Sequence, residues 1–383
     1  MKKMLLLSNV PSPYLSPVYA RLKNIDTEDW QICYVSAWNT DVGWSSANAR
    51  EFISAEDIFL AERFPRLADR LGVQVAATLA LLLKLTKEGA DYFLIYGYTR
   101  LPQLLLIGWA FISRTPFAVA GDANYYLDEA RGWRRIVKRQ WLGWLSHRAA
   151  ALIAVGTACR LFWQSYGAQA DRIFHVGFAV DNDYFRESSK REFSQAEKLK
   201  QEWGWQHRTV FLYVGRLIER KNVHRLIAAV QQLCELPIAL VIAGDGEERE
   251  RLVELANDNP YIKFVGSLTQ AELPLCYSLS DVLVLPARAE PWGLVVNEAM
   301  ACGLTVIAHQ HCGAAADLVN DETGVVLQSY ETLELAAAIR LLAQDADGLA
   351  RRKLKSRVRI AAWSIPQAAA QLRRAIDATK KKA

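Results

Sequence analysis

Residues 290–303 read EPWGLVVNEAMACG and follow a run of strand-forming residues at 281–286. The proline and glycine at 291–293 favour a turn, residues 294–301 favour a helix, and the closing glycine favours a helix end. Residues 304–308, LTVIA, then have the composition of another strand. The stretch therefore predicts a strand, a loop, a helix and a second strand, which is the repeating unit of a parallel sheet covered by helices.

Two carboxylates belong to this stretch. Glu290 falls in the predicted loop, and Glu298 falls about one turn inside the predicted helix. A helix N-terminus carries unpaired N–H groups and partial positive charge, which suit a phosphate better than a carboxylate. We therefore expect the two carboxylates to accept hydrogen bonds from sugar hydroxyls beside a bound phosphate. The alternative is a loop glutamate and a surface helix glutamate that bind no ligand.

A second candidate binding motif lies upstream, where residues 213–222 read YVGRLIERKN. A predicted strand ends there in Gly215, and Arg216 and Lys221 lie on the turn into a predicted helix. Two cations on such a turn can balance a diphosphate without a metal ion, and arginine adds bidentate geometry. The alternative is a pair of solvated surface cations.

Strand-like and helix-like segments alternate along the whole chain, which predicts two successive doubly wound sheets with ligands at the carboxyl ends of their strands. The charged segment 187–206 marks the predicted domain boundary, and residues 36–65 are predicted to form a long connection. The predicted strands are 3–8, 30–35, 91–96, 116–120, 151–155, 172–176, 209–214, 238–243, 261–265, 282–285, 305–307 and 325–327. The helices predicted in the first half are 17–24, 68–87, 102–112, 133–148 and 158–166.

Length and composition narrow the class of protein. A chain of 383 residues suits two domains, and 51% hydrophobic with 23% charged residues is typical of a folded protein. The formal net charge of +5 permits an anionic partner without requiring nucleic acid, and we expect no nucleic-acid partner. The six cysteines include no Cys-x-x-Cys pair, and the first apolar run ends at Ser8. These features predict a cytoplasmic protein without a secretion signal or a membrane span.

The 290–303 stretch, together with Pro286, resembles the paired-glutamate signature of retaining glycosyltransferases of family 4. That resemblance implies an α/β protein with the GT-B fold, in which two doubly wound, Rossmann-like domains face a cleft. It implies an acceptor-binding domain at 1–187, completed by a C-terminal helix at about 365–383, and a donor-binding domain at 188–364. The loop at 9–17 contains three prolines and no glycine, and it resembles a variant found in enzymes that build bacterial surface polysaccharides.

The resemblance also implies the site residues. Arg216, Lys221 and the N–H groups near Gly293 would stabilise a leaving diphosphate. Glu298 would hold the ribose hydroxyls and Glu290 a hydroxyl of the donor sugar. The implied catalytic residues are Arg216, Lys221, Glu290 and Asp122, the last of which follows a first-domain strand where relatives place a histidine or an acid. The implied donor-binding residues are Gly215, Arg216, Lys221, Gly266, Ser267, Glu290, Trp292, Gly293, Leu294 and Glu298.

Residues 131–148 combine six cations with an apolar stripe and contain no acid. Basic residues with tryptophan suit an anionic membrane interface. We expect the apolar stripe to pack on the sheet instead, which leaves the cations for a lipid-linked acceptor or for peripheral contact with the inner face of the membrane. The cations are Arg131, Arg134, Arg135, Lys138, Arg139 and Arg148, and the stripe is Trp133, Ile136, Val137, Trp141, Trp144 and Leu145.

The predicted activity is the transfer of a sugar, with retention and without a metal or other cofactor, from a nucleoside diphosphate sugar to a hydroxyl of a glycan or lipid-linked acceptor. One alternative is an inactive nucleotide-sugar-binding subunit of a glycan assembly complex. A second is a metal-dependent GT-A transferase, for which Asp181 with Asp183, and Asp345 with Asp347, have the required spacing. A dinucleotide oxidoreductase is disfavoured because no Gly-x-Gly-x-x-Gly follows the first strand.

Overall fold

Two parallel β-sheets covered by helices make up the computed structural model, which describes residues 2–39, 44–45, 53–128 and 131–380. The first unit comprises Met1–Ala179 and Ile365–Ala383, and the second comprises Val180–Ser364. The division between the units falls before the charged segment that begins at Glu187. The part of the 36–65 connection at 40–43 and 46–52 lies outside the described residues.

The first unit has a seven-stranded sheet in the order β5-β2-β1-β6-β7-β8-β9, with every neighbouring pair parallel. A separate antiparallel pair is formed by β3 and β4. The strands of the first unit are β1 Lys3–Ser8, β2 Asp29–Tyr34, β3 Trp38–Asn39, β4 Trp44–Ser45, β5 Ile58–Phe59, β6 Tyr92–Tyr96, β7 Phe117–Gly121, β8 Ala151–Ala154 and β9 Ile173–His175. Its helices are α1 Leu15–Ile25, α2 Pro65–Leu71, α3 Val73–Glu88, α4 Leu101–Ser113, α5 Gly132–Arg148, α6 Thr157–Ser165 and α16 Ile365–Lys380.

The last helix packs on the first unit because its apolar residues recur at helical spacing. Ala368, Leu372 and Ile376 are each at most 3% exposed and join the core formed by β1, β6 and α1. The Tyr92 hydroxyl lies 2.8 Å from the Thr379 hydroxyl inside this core. Residues 365–380 therefore complete the first sheet although they follow the second unit in the chain.

The second unit has a six-stranded parallel sheet in the order β12-β11-β10-β13-β14-β15. Numbered within the unit, this is the order 3-2-1-4-5-6, which reverses direction between β10 and β13. Its strands are β10 Thr209–Val214, β11 Ile238–Ala243, β12 Ile262–Gly266, β13 Val282–Leu285, β14 Thr305–His309 and β15 Gly324–Leu327. Its helices are α7 Asn182–Arg191, α8 Phe193–Glu202, α9 Val223–Gln232, α10 Arg249–Ala256, α11 Leu273–Leu279, α12 Leu294–Cys302, α13 Ala315–Leu318, α14 Thr332–Gln344 and α15 Ala346–Ile360.

The prediction of two doubly wound parallel sheets is confirmed, but the helix predicted at 68–87 is wrong in detail. The chain forms two helices there, α2 and α3, separated by Gly72 at φ 90°. A left-handed backbone interrupts the hydrogen-bond ladder of an α-helix, and glycine adopts it at little cost. No helix in the described part of the chain is both long and apolar enough to cross a bilayer.

Candidate active site

The loops that follow β10 and β13 lie side by side at the point where the strand order of the second unit reverses. The backbone N–H of Arg288 donates to the Arg220 carbonyl at 2.8 Å, and the Asn222 side chain donates to the Pro286 carbonyl at 3.0 Å. Asn222 has a left-handed backbone at φ 56°, which asparagine tolerates better than most residues. Ligands of doubly wound sheets bind at this switch point, so these loops are the first candidate site.

Lys221 and Glu290 meet across the two loops. The Lys221 Nζ donates to the Glu290 carboxylate, and the side chains are only 9% and 17% exposed. The sequence predicts both residues for a single ligand, and the structure brings them into direct contact although 69 positions separate them. A buried cation balanced by one carboxylate can be shared with an incoming anion, because both groups are already largely desolvated.

A small cavity of about 140 Å³ opens beside the loop after β10, at the carboxyl ends of β11 and β12. Three residues predicted to bind the sugar donor line it: Gly215, Arg216 and Ser267. Gly244 and Asp245 also line it, although they are not among the predicted donor-binding residues. Gly266 lies at the end of β12, next to Ser267.

The backbones of Gly215 and Gly244 pack against each other at this cavity. A Cβ atom on Gly244 would lie 1.9 Å from the Gly215 carbonyl oxygen, and its φ of 144° favours glycine alone. The two glycines therefore let two strand ends approach closely, which shapes the cavity wall.

We expect Gly244→Ala to lower the free energy of unfolding by roughly 2–4 kcal/mol, since strain and overpacking each cost about 1–3 kcal/mol. Gly266→Ala is the matched control, because its φ of 78° is also left-handed but no atom lies within 4 Å of the added Cβ. Urea unfolding of both variants measures the difference. Equal losses would show that the Gly215–Gly244 approach does not constrain the fold.

The helix predicted after Glu290 is present as α12, and Gly293 forms its N-cap at φ 93°. A Cβ at Gly293 would lie 3.0 Å from both the Cys312 sulfur and a Leu285 methyl carbon. Glycine is therefore required for the loop to turn into the helix, and Leu294 begins the first turn. This N-terminus directs backbone N–H groups and partial positive charge towards the Glu290 loop.

The Trp292 side chain is used for packing. Its ring stacks on Trp363 at 5.2 Å, its indole N–H donates to Asn297 at 2.9 Å, and the residue is 3% exposed. The sequence suggests a donor contact at this position, but the buried ring leaves only the Trp292 backbone for that role.

Glu298 lies inside α12, as predicted, and is 1% exposed. The Tyr277 hydroxyl donates to its carboxylate at 2.5 Å, and Tyr277 itself is 1% exposed. Phe185 packs edge-on against the Tyr277 ring with centroids 6.1 Å apart. Sequence reasoning misses Tyr277, because nothing in the composition of α11 distinguishes it from other core residues.

In the first unit, Asp122 is exposed directly after β7. Burial, together with the nearby Asp122 carboxylate, raises the pKa of Tyr98. The glycine-free loop at 9–17 follows β1, where Gln103 donates to the Asn9 side chain at 2.9 Å and to the Tyr96 carbonyl at 2.7 Å. A side-chain amide thus connects the ends of β1 and β6.

The expectation that the apolar stripe of residues 131–148 packs on the sheet is wrong for its first half. Trp133, Ile136 and Val137 are 70%, 65% and 58% exposed, whereas Leu142 and Leu145 are buried. The physical reason is that the C-terminal half of α5 has packing partners: Trp144 meets Phe111 with ring centroids 5.5 Å apart, and Ser146 donates to the Tyr166 carbonyl at 3.1 Å. Burial of the stripe is therefore confined to the C-terminal half of the helix.

The carboxylate pairs considered for a metal site have other roles in the structure. The Asp181 side chain accepts from the Tyr184 N–H at 2.9 Å and caps α7, and Asp345 accepts from the Gly348 N–H at 2.8 Å and caps α15. His309 stacks on Tyr330 with ring centroids 4.0 Å apart. Among the residues that the structure describes, no three histidine, cysteine, aspartate or glutamate side chains are grouped so that they could hold a metal ion.

Residues 195–360 match the family model described as glycosyl transferases group 1. A glycogen synthase of Mycobacterium tuberculosis is 35% identical over 154 residues, which cover 39% of this chain and 37% of the relative. The chain thus spans less than half the length of the first curated relatives it matches. A D-inositol 3-phosphate glycosyltransferase of Corynebacterium jeikeium is 28% identical over 304 residues, or 73% of this chain and 71% of the relative.

The fold has matches among solved structures over nearly the whole chain. Anabaena Alr3699/HepE, crystallised in complex with UDP and glucose, superimposes with a TM-score of 0.72 at 19% identity, covering 98% of this chain and 100% of that one. At this identity the likeness establishes the fold, and it confirms the predicted GT-B architecture. Residues 195–360 are therefore similar to the group 1 glycosyltransferases, within a chain that has the GT-B fold.

Proposed function

We propose that this protein transfers a sugar from a nucleoside diphosphate sugar to a hydroxyl acceptor, with retention of configuration and without a metal ion. The observation that carries this proposal is the contact of Lys221 with Glu290 at the switch point of a group 1 domain. The pair offers a cation for a diphosphate and a carboxylate for a sugar hydroxyl at one place. Relatives named as glycogen synthase and inositol-phosphate glycosyltransferase support this reaction class.

In the proposed reaction, the bond between the anomeric carbon and the diphosphate oxygen breaks while the acceptor oxygen bonds to the same carbon. Arg216, Lys221 and the N-terminus of α12 stabilise the charge that develops on the leaving diphosphate, which is usually the largest catalytic term. Glu290 binds a hydroxyl of the donor sugar and Glu298 the ribose. The acceptor attacks from the face that the diphosphate leaves, so the diphosphate takes the hydroxyl proton.

Transfer from a labelled nucleoside diphosphate sugar should proceed unchanged in excess chelator, because protein cations balance the diphosphate. The measurement is label release, and label incorporation into acceptor, with and without EDTA. Loss of turnover in chelator that magnesium or manganese restores would overturn the metal-independent mechanism. Tight donor binding without any label release would instead favour the inactive-subunit alternative.

We further propose that the acceptor belongs to surface polysaccharide or lipid-linked glycan synthesis, and that α5 contacts an anionic membrane. Three large apolar side chains stand exposed on the first two turns of this helix, Trp133, Ile136 and Val137, beside the cations Arg131 and Arg134. Tryptophan with basic residues suits the headgroup region of an anionic bilayer.

Reversing two of these charges, with Arg131→Glu and Arg134→Glu together, should weaken binding to phosphatidylglycerol vesicles at least about thirtyfold, since each cation near such a surface contributes roughly 1 kcal/mol. Lys190→Glu with Lys198→Glu makes the same charge change on exposed helices of the second unit and should have little effect. Vesicle co-sedimentation measures both. The membrane proposal fails if the parent protein does not bind, or if the two variants lose binding equally.

A further inference from the structure

A second cavity, of about 400 Å³, lies within the first unit between α5, the end of α6 and the loop after β7. Arg135 and Arg139 line it from α5, Ser165 and Tyr166 from the end of α6, and Tyr125 from the loop. Asp122 belongs to the same loop. A volume of this size suits a small ligand such as a sugar with one substituent. Neither the donor site nor the membrane-facing residues account for it.

Among the described residues that line this cavity, two are cations and one is a carboxylate. Its carboxylate, Asp128, binds Lys138 at 2.6 Å and also accepts from the Tyr166 hydroxyl, so its charge is already compensated. Arg135 and Arg139 are exposed, lie one helical turn apart on one face of α5, and form no ion pair within the part of the chain that the structure describes. The cavity therefore presents two guanidinium groups that are available to an anion.

The other lining groups favour a particular kind of anion. The N–H groups of an arginine guanidinium match the spacing of the oxygens of a phosphoryl group. Two guanidinium groups one helical turn apart can bind the same phosphoryl group from two sides. The Ser165 hydroxyl donates to the Phe162 carbonyl at 2.7 Å, so its oxygen can accept from a sugar hydroxyl. Tyr125, which is 47% exposed, adds an aromatic face and a hydroxyl. Aromatic faces and hydroxyls are suited to a sugar ring. The combination suits a sugar that carries a phosphoryl group better than it suits a neutral glycan or an apolar ligand.

We propose that this cavity binds the acceptor of the transfer reaction through a phosphoryl group on the acceptor. The proposal rests on the proposed function, because it names the chemistry of the second substrate. The phosphoryl group could come from a soluble sugar phosphate or from the diphosphate of a lipid-linked sugar. Both would place their negative charge on Arg135 and Arg139 and leave a sugar hydroxyl to react.

The first test is calorimetry with inorganic pyrophosphate as the probe. The parent protein should show two classes of site, one in each unit. Arg135→Gln with Arg139→Gln should weaken one class at least about tenfold, since hydrogen bonds to charged groups are lost, and should retain the other. Arg216→Gln should weaken only the class that the first variant retains. Arg131→Gln with Arg134→Gln removes the same charge from the same helix, outside the cavity, and should retain both classes.

The source of the phosphoryl group is then distinguished with two further probes, hexose 1-phosphate and a hexose linked to a short-chain prenyl diphosphate in detergent. Tighter binding of the first than of pyrophosphate identifies a soluble sugar phosphate, and tighter binding of the second identifies a lipid-linked acceptor. In either case, the Arg135→Gln/Arg139→Gln variant should raise the acceptor KM at least about tenfold and leave the donor KM unchanged.

Three results would overturn the acceptor site: no pyrophosphate binding that depends on Arg135 and Arg139, an equal loss in the Arg131→Gln/Arg134→Gln control, or an unchanged acceptor KM. These outcomes leave the donor site intact if Arg216→Gln still weakens nucleotide binding. The converse result is that Arg216→Gln has no effect on the binding of any nucleotide while Arg135→Gln/Arg139→Gln still weakens pyrophosphate binding. That result would contradict the proposed function but would still support an anion site in the first unit.

Discussion

Replacing Lys221 with methionine is expected to lower the rate of sugar transfer about 100- to 1000-fold, which is the usual cost of removing one group that stabilises developing charge. Methionine retains the length and packing of the lysine but cannot donate to a diphosphate oxygen. Single-turnover kinetics with a labelled donor give the rate of the chemical step. Lys221→Arg keeps the charge and should retain more activity than Lys221→Met.

The same variant tests the ion pair itself. Without Lys221, the Glu290 carboxylate loses this ion pair at 17% side-chain exposure. Breaking a fully buried pair costs about 3–5 kcal/mol, and we expect a smaller loss here because Glu290 keeps some contact with water. Lys353→Met is the matched control, since it breaks the 2.9 Å ion pair with Asp281 away from the candidate site. Similar rates for Lys353→Met and Lys221→Met would mean that Lys221 acts only through stability.

The central strands were predictable because both of their faces are buried. Residues 238–243, IALVIA, are at most 3% exposed throughout, and such a strand needs an unbroken apolar run that is visible in the sequence. The switch point follows from the order of these strands, and the loops with glycine at 215, 244 and 293 follow from the strand ends. Glycine is demanded at 244 by a close backbone approach and at 293 by a left-handed backbone with φ 93°.

Side-chain environments were harder to predict than strands, because they depend on contacts between distant segments. Trp292 resembles a ligand-binding residue within its own motif, yet its partner is Trp363, which the motif does not contain. Glu298 has its hydroxyl partner on another helix, at Tyr277. The amphipathic pattern of residues 131–148 specifies which face of the helix is apolar but not how much of that face other segments cover.

The second large expected effect is a difference between the Glu290→Gln and Glu298→Gln variants in nucleotide binding and turnover. Glu290→Gln should bind nucleoside diphosphate as well as the parent protein does, because the proposed partner of Glu290 belongs to the sugar, which the product nucleotide lacks. Its turnover should fall about 10- to 100-fold, since a hydrogen bond to a charged group contributes about 1.5–3 kcal/mol as charge spreads over the sugar. The free Lys221 cation would then favour diphosphate binding slightly.

Glu298→Gln should show the opposite pattern. The ribose is common to the donor and to the released nucleotide, so both should bind about 10- to 100-fold more weakly. The glutamine oxygen can still accept from Tyr277, which keeps the packing of α12 and limits the change in stability. Calorimetry of both variants with nucleoside diphosphate alone measures the difference. If Glu290→Gln loses the nucleotide while Glu298→Gln keeps it, the two roles are exchanged. If neither variant changes binding or turnover, residues 290–303 form only a scaffold, and the proposed function is wrong.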